Sequence, residues 1–122
     1  MEENKKPYNL HERLLLFGKR MLEICKILPP FPECNRIRAQ LGASGTSIGA
    51  NYEEADGSIT KKDFINKLVI SRKEAKETRY FLRIISDTYL KPDEIAKEIR
   101  ESEEIINILS SMINKSTSGK RS

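Results

Sequence analysis

Leu10, Leu14, Phe17, Met21, Ile24 and Leu28 follow one another at intervals of 4, 3, 4, 3 and 4 residues. An α-helix, with about 3.6 residues per turn, is the regular structure that brings such a series to one side. The rhythm then restarts three times. It runs through Ile37, Leu41, Ser44, Ile48, Asn51 and Ala55, and next through Phe64, Leu68, Ser71, Ala75, Thr78, Leu82 and Ile85. The last series is Ile95, Ile99, Ser102, Ile106, Leu109 and Ile113. No stretch alternates polar and apolar residues against this pattern, so no strand is expected.

The breaks between the series are equally legible. Pro29-Pro30-Phe31-Pro32 ends the first helix, because proline lacks an amide hydrogen and disfavours helix in the residue before it. Gly57 suits the position after the second helix, and Thr60, with Asp63 three residues on, suits the start of the third. Pro92, Asp93 and Glu94 suit the positive N-terminus of the fourth. Helices of about 20–27 residues, roughly 30–40 Å long, joined by about three to six residues, lie antiparallel to their chain neighbours. The expected fold is all-α, an antiparallel up-down-up-down four-helix bundle over residues 9–114, with its handedness open. Residues 1–8 read as a flexible N-terminal segment and 115–122 (KSTSGKRS) as a disordered basic tail.

Composition narrows the chemistry. Charged residues make up 33% and hydrophobic residues 38%, which is too apolar for disorder at a net charge of +4 and too charged for a membrane protein. The longest apolar run, Leu14–Phe17, falls far below the ~20 residues of a membrane span. Residues 1–6 are mostly charged and no hydrophobic signal core follows, so a cytoplasmic location is expected. With 2 Cys and 1 His, disulfide scaffolds and histidine-built metal or nucleophile sites are not expected. Cys25 and Cys34 flank the proline-rich connection as expected free thiols, and His11 reads as a surface or boundary residue of the first helix. Glu53, Glu54 and Asp56 crowd the C-terminus of the second helix against its dipole, where a link from Glu54 to Lys67 is expected. No catalytic constellation emerges, so no enzyme activity and no cofactor are expected.

Small and polar residues interrupt the seam. Antiparallel alignment puts Thr78 near the level of Ser102, Ser44 near Ala75 and Ser71 near Ile48. Helical hydroxyls can return their hydrogen bond to the preceding turn, so Ser and Thr are expected to be satisfied locally. Asn51 has an amide that such backbonding alone would not satisfy, which suggests a role in register or at an interface. Gly42, Gly45 and Gly49 share one face of the second helix. Each helical Gly costs ~1 kcal/mol relative to Ala, so close approach of another backbone is expected to offset it. That backbone belongs either to the same bundle or to another subunit. A phosphate-cradling loop is a poor fit, because Ala50-Asn51 follows Gly49 where Lys-Ser/Thr would be needed.

Charge is unevenly placed. Residues 61–88 hold eight Lys/Arg against four Asp/Glu, whereas residues 91–114 hold three against six. Arg72, Lys76, Arg79 and Arg83 form a stripe beside the seam of the third helix, and arginine suits bidentate phosphate contact. The stripe is either a solvated face paired with the acidic fourth helix or a footprint for a phosphate backbone. Tyr80, Phe81 and Tyr89 are the few aromatics near it, so base stacking is not expected to dominate.

The segments LGASGTSIGANYEEA (41–55), KKDF (61–64) and SRKEAKETRYFLR (71–83) resemble the four-helix-bundle family named for the intervening sequence of bacterial 23S ribosomal RNA. The resemblance extends roughly from Leu10 to Leu90. That family is similar in fold to the accessory variability determinant of diversity-generating retroelements, a basic homopentamer that binds a reverse transcriptase and RNA. The resemblance implies a small bacterial non-enzyme, homo-oligomeric with five subunits as first choice, and with RNA or a ribonucleoprotein as partner. Two readings follow. One is an oligomeric RNA-binding module using Arg72, Lys76, Arg79 and Arg83. The other is an interaction scaffold or accessory subunit, docking through the glycine face or the apolar flank Ile105, Ile108 and Met112 of the fourth helix.

Overall fold

The computed structural model describes residues 9–118. They form four helices, α1 (Leu10–Ile27), α2 (Pro32–Asp56), α3 (Lys61–Ile85) and α4 (Pro92–Ser118), and no strand is present among them. Asn9 caps α1, its side chain accepting from the amides of His11 and Glu12. Thr60 caps α3 by accepting from the Asp63 amide at 3.0 Å, as the sequence signature implies. Pro32 opens α2 and Pro92 opens α4, positions at which the missing amide hydrogen would have had no helical partner. Asp87 takes a left-handed conformation (φ 67°) in the α3–α4 connection, which a short polar side chain tolerates.

α4 continues through Lys115–Ser118, four residues into the stretch read from sequence as tail. Extending an existing helix needs no new nucleus, and the hydroxyls of Thr117 and Ser118 return bonds to Asn114 O and Lys115 O. Residues 119–122, like the N-terminal residues 1–8, lie outside the described range.

Close backbone packing joins α1 to α2, α2 to α3 and α3 to α4. The seam series supply the core: Leu14, Met21, Ile24, Leu41, Ile48, Leu68, Leu82, Ile85, Ile95 and Leu109 are almost completely buried. The α1–α2 hairpin is not symmetric about its connection. Arg38 Nη1 donates to the carbonyls of Cys25 and Leu28, at 3.3 and 3.2 Å, and so caps the C-terminus of α1 from the second turn of α2. The first turn of α2 therefore overhangs the end of α1, and its Glu33 accepts from the Tyr89 hydroxyl in the α3–α4 connection at 2.9 Å. That bond pushes the Tyr89 phenol up to about 12.

Two seam expectations change. Ser71 Oγ donates across to Ile48 O on α2 at 2.8 Å, and Thr78 Oγ1 lies 2.9 Å from Ser44 Oγ and 2.8 Å from Glu74 O. With one proton each, Thr78 donates to its own helix and Ser44 donates to Thr78, since the alternative acceptor Leu41 O is 3.5 Å away. Local backbonding describes Ser102, which donates to Ile99 O at 2.6 Å, but not the Ser71 and Ser44–Thr78 bonds that tie α2 to α3. Small side chains here let the two helices approach until their hydroxyls reach each other. Conversely, Asn51 is half-buried and its Nδ2 does bond its own helix, at Ser47 O (2.9 Å).

Candidate functional site

The cationic series of α3 borders α4. Arg72 is half-buried and its Nη1 donates to Ser110 Oγ at 3.2 Å. Arg79 is half-buried, whereas Lys76 and Arg83 are exposed. Three of the six acids of α4 turn to α1 instead. Arg13 of α1 grips both oxygens of Glu101, at 2.6 and 2.9 Å, and reaches Glu104 at 2.7 Å. Arg20 holds Glu98 at 2.8 Å. The arrangement closes the bundle between α1 and α4 with long side chains, and these carboxylates hold both guanidiniums further in their charged form.

Of the two readings of the α3 stripe, neutralisation by acidic α4 is therefore not what the fold provides. Three α4 carboxylates face α1, and none of Arg72, Lys76, Arg79 and Arg83 forms an ion pair among the described residues. The expected Glu54–Lys67 link is present at 2.6 Å. It lies between α2 and α3.

The glycine face meets α1. A Cβ on Gly45 would stand 2.5 and 2.7 Å from Met21 Cγ and Cβ, closer than real side chains approach. At Gly49 it would meet Leu14, and at Gly42 Leu22 and Cys25, in ordinary contact. Gly18 answers from α1, packed over Gly45 O and Thr46. The backbone that offsets the helical glycines is thus the chain's own first helix, so these glycines do not by themselves call for a second subunit. Ile105 is fully buried and Met112 packs half-buried against the core, so of the apolar flank of α4 it is the half-buried Ile108 that is left at the surface. α1 carries four exposed apolar residues, Leu15, Leu16, Leu22 and Ile27; Phe31 and Ile59 are exposed in the connections and Val69, Ile70 and Tyr80 on α3. Leu15 and Leu22 border a groove of about 330 Å³ between α1 and α2, floored by Leu14, Gly18 and Gly49.

His11 is more than a boundary residue. Its Nδ1 lies 2.7 Å from Glu53 Oε2 and its Nε2 3.2 Å from Asp56 Oδ2, while the ring packs on Tyr52 at 4.7 Å. Only the imidazolium donates from both nitrogens, and the Glu53 bond with the neighbouring charge raises its pKa. The same clamp answers the crowded acids at the C-terminus of α2. Its signal in the sequence was the coincidence of one histidine at the start of α1 with two carboxylates at the end of α2, legible only once the overhang of the hairpin is known. Cys25 and Cys34 are buried free thiols, and Cys25 is pushed up by burial. No group of three or more His, Cys, Asp or Glu among the described residues could hold a metal. No helix among them is long and apolar enough to cross a membrane.

Fold and surface together define a small all-helical bundle with one unneutralised cationic helix face. The chain belongs to the family of 23S rRNA-intervening sequence proteins, whose pattern it matches over residues 10–114. It is similar to the crystal structure of a protein from Bacteroides thetaiotaomicron described as of unknown function and from the S23 ribosomal protein family. The two share 35% identity and a TM-score of 0.77 over 86% of this chain and 98% of the other. No curated protein matches significantly. Neither description names a catalytic activity.

Proposed function

We propose that the protein is a non-enzymatic, self-assembling bundle that binds RNA, alone or within a ribonucleoprotein, through the α3 face of Arg72, Lys76, Arg79 and Arg83. The observation that carries this reading is the pairing of three α4 acids with Arg13 and Arg20, while Arg72, Lys76, Arg79 and Arg83 form no ion pair among the described residues. Unpaired cations in a row attract a polyanion and release its condensed counterions on contact. The family's tie to ribosomal RNA supports the choice of RNA. Filter binding with structured RNA between about 50 and 200 mM salt tests it. Lys76→Glu with Arg83→Glu is expected to weaken binding and flatten the salt slope, with helicity unchanged. Absence of binding at the lowest salt, or a double variant that binds like the parent, refutes the reading.

A second reading is favoured by the apolar α1–α2 groove with Leu15 and Leu22 exposed at its edge. On that reading the protein is a scaffold or accessory subunit, for example of a reverse transcriptase, and makes no contact with nucleic acid. It expects Leu15→Glu to abolish partner binding while the cationic face can be altered freely.

A further inference from the structure

Burial redraws the cationic face. Of the four stripe residues, Arg72 and Arg79 lie half-buried on the side of α4, and only Lys76 and Arg83 stand fully outward. The outermost row of α3 is instead Lys73, Lys76, Tyr80 and Arg83, at intervals of 3, 4 and 3 residues and all exposed. Tyr80 is 62% exposed, the most exposed aromatic ring among the described residues. It rests against Phe81, with ring centroids 5.7 Å apart and planes inclined by 67°. Tyr80 takes no part in the buried core, and its ring stands in water between the cations Lys76 and Arg83. The row has the composition of a nucleic-acid stacking platform, in which cations track the phosphates and a ring takes a base.

Resting on the RNA-binding reading above, we infer that Tyr80 stacks an unpaired base, so that the α3 face selects single-stranded over duplex RNA. In a duplex the base faces are buried between neighbouring pairs, and the outward ring of a helix has nothing to stack on. In a single strand a base can splay onto the ring while its flanking phosphates meet Lys76 and Arg83, one helical turn to either side. The strand's course is set by charge. Glu74 and Glu77 border the row on one side, and Arg72 and Arg79 on the other, so the backbone runs along the arginine side of Tyr80. From Arg72 to Arg83 the contact spans about 16 Å of helix, a length suited to a few nucleotides. Because every base presents a π-face, the site is tolerant of sequence.

The test compares three labelled probes of about 12 nucleotides, within the usual range of single-strand sites: oligouridylate, the same strand made abasic, and an RNA duplex. Fluorescence anisotropy at low salt is expected to rank oligouridylate above both others for the parent protein. Tyr80→Ala is expected to lose about 5- to 150-fold for oligouridylate, the range that about 1–3 kcal/mol per stacked base gives. It should leave the abasic strand and duplex unchanged, and Tyr80→Phe should keep the parent affinity. If the parent binds oligouridylate no better than its abasic counterpart, or Tyr80→Ala binds oligouridylate like the parent, stacking is overturned and the phosphate footprint stands. If the parent binds none of the three probes, both are overturned. The probe ranking on the unmodified protein decides the matter even for a variant that folds poorly.

Discussion

At Gly45 and Gly42 the same residue type, three positions apart on one helix, has opposite consequences. A methyl group at Gly45 collides with Met21 at its Cβ, which cannot swing away, whereas at Gly42 it meets Leu22 and Cys25 at ordinary distances. Gly45→Ala is therefore expected to destabilise by about 1–3 kcal/mol through overpacking, against which a helix-propensity gain near 1 kcal/mol is the smaller term. Gly42→Ala is expected to stabilise by about 0.5–1 kcal/mol. Denaturant unfolding of the two variants measures both signs. The hydroxyls make a parallel case. Thr78→Val leaves Ser44 Oγ buried with only a 3.5 Å acceptor, and is expected to cost about 1–3 kcal/mol. Ser102→Ala removes a bond internal to α4 and is expected to be tolerated. A double-mutant cycle should find coupling between Ser44 and Thr78 and none between Thr78 and Ser102.

Between elements, the ends of the bundle are held by charge. His11 joins the N-terminus of α1 to the C-terminus of α2, and its pKa is raised by the Glu53 bond and the nearby carboxylate charges. A raised folded-state pKa means that the clamp contributes in full below the ordinary histidine value of about 6.5 and is lost as pH climbs through the folded value. The melting temperature of the parent is thus expected to exceed that of His11→Gln by more at pH 6 than at pH 9. An equal gap at both, or one that widens with pH, would show that the ring serves only by packing on Tyr52. The starts of α3 and α4, by contrast, follow from local chemistry at Thr60 and Pro92, and needed no partner to be read.

For the whole molecule, assembly is the open axis. α1 packs its glycine-matched side on α2 and leaves Leu15, Leu16, Leu22 and Ile27 in water, an apolar surface unusual for a helix already closed into a bundle. Self-association through it is expected to give a light-scattering mass several times 14.0 kDa, with five subunits the first choice. Leu15→Glu with Leu22→Glu should reduce the mass to that of one chain without loss of helicity, because both side chains are about half exposed in the single bundle. A parent protein that scatters as a monomer at high micromolar concentration overturns the assembly. Several copies would gather their α3 faces into one basic surface, so the double variant should also bind RNA more weakly.

Periodicity and punctuation determined the four helices, their antiparallel order and the seam, because a 3.5-residue apolar rhythm admits one regular structure and short connections admit one order. The family was likewise legible, in the run from Leu41 to Ala55 and the α3 segment. Tertiary structure decided which partner each charged or small residue found. Glu98 and Glu101 lie on the flank of α4 that meets α1, Gly45 meets Met21, and His11 reaches Glu53 and Asp56 because α2 overhangs its hairpin. Helical spacing states which residues share a face. The rotation and axial offset that choose the neighbour of that face arise only when all four helices pack together, and from them came the unpaired cations of α3 and the outward Tyr80.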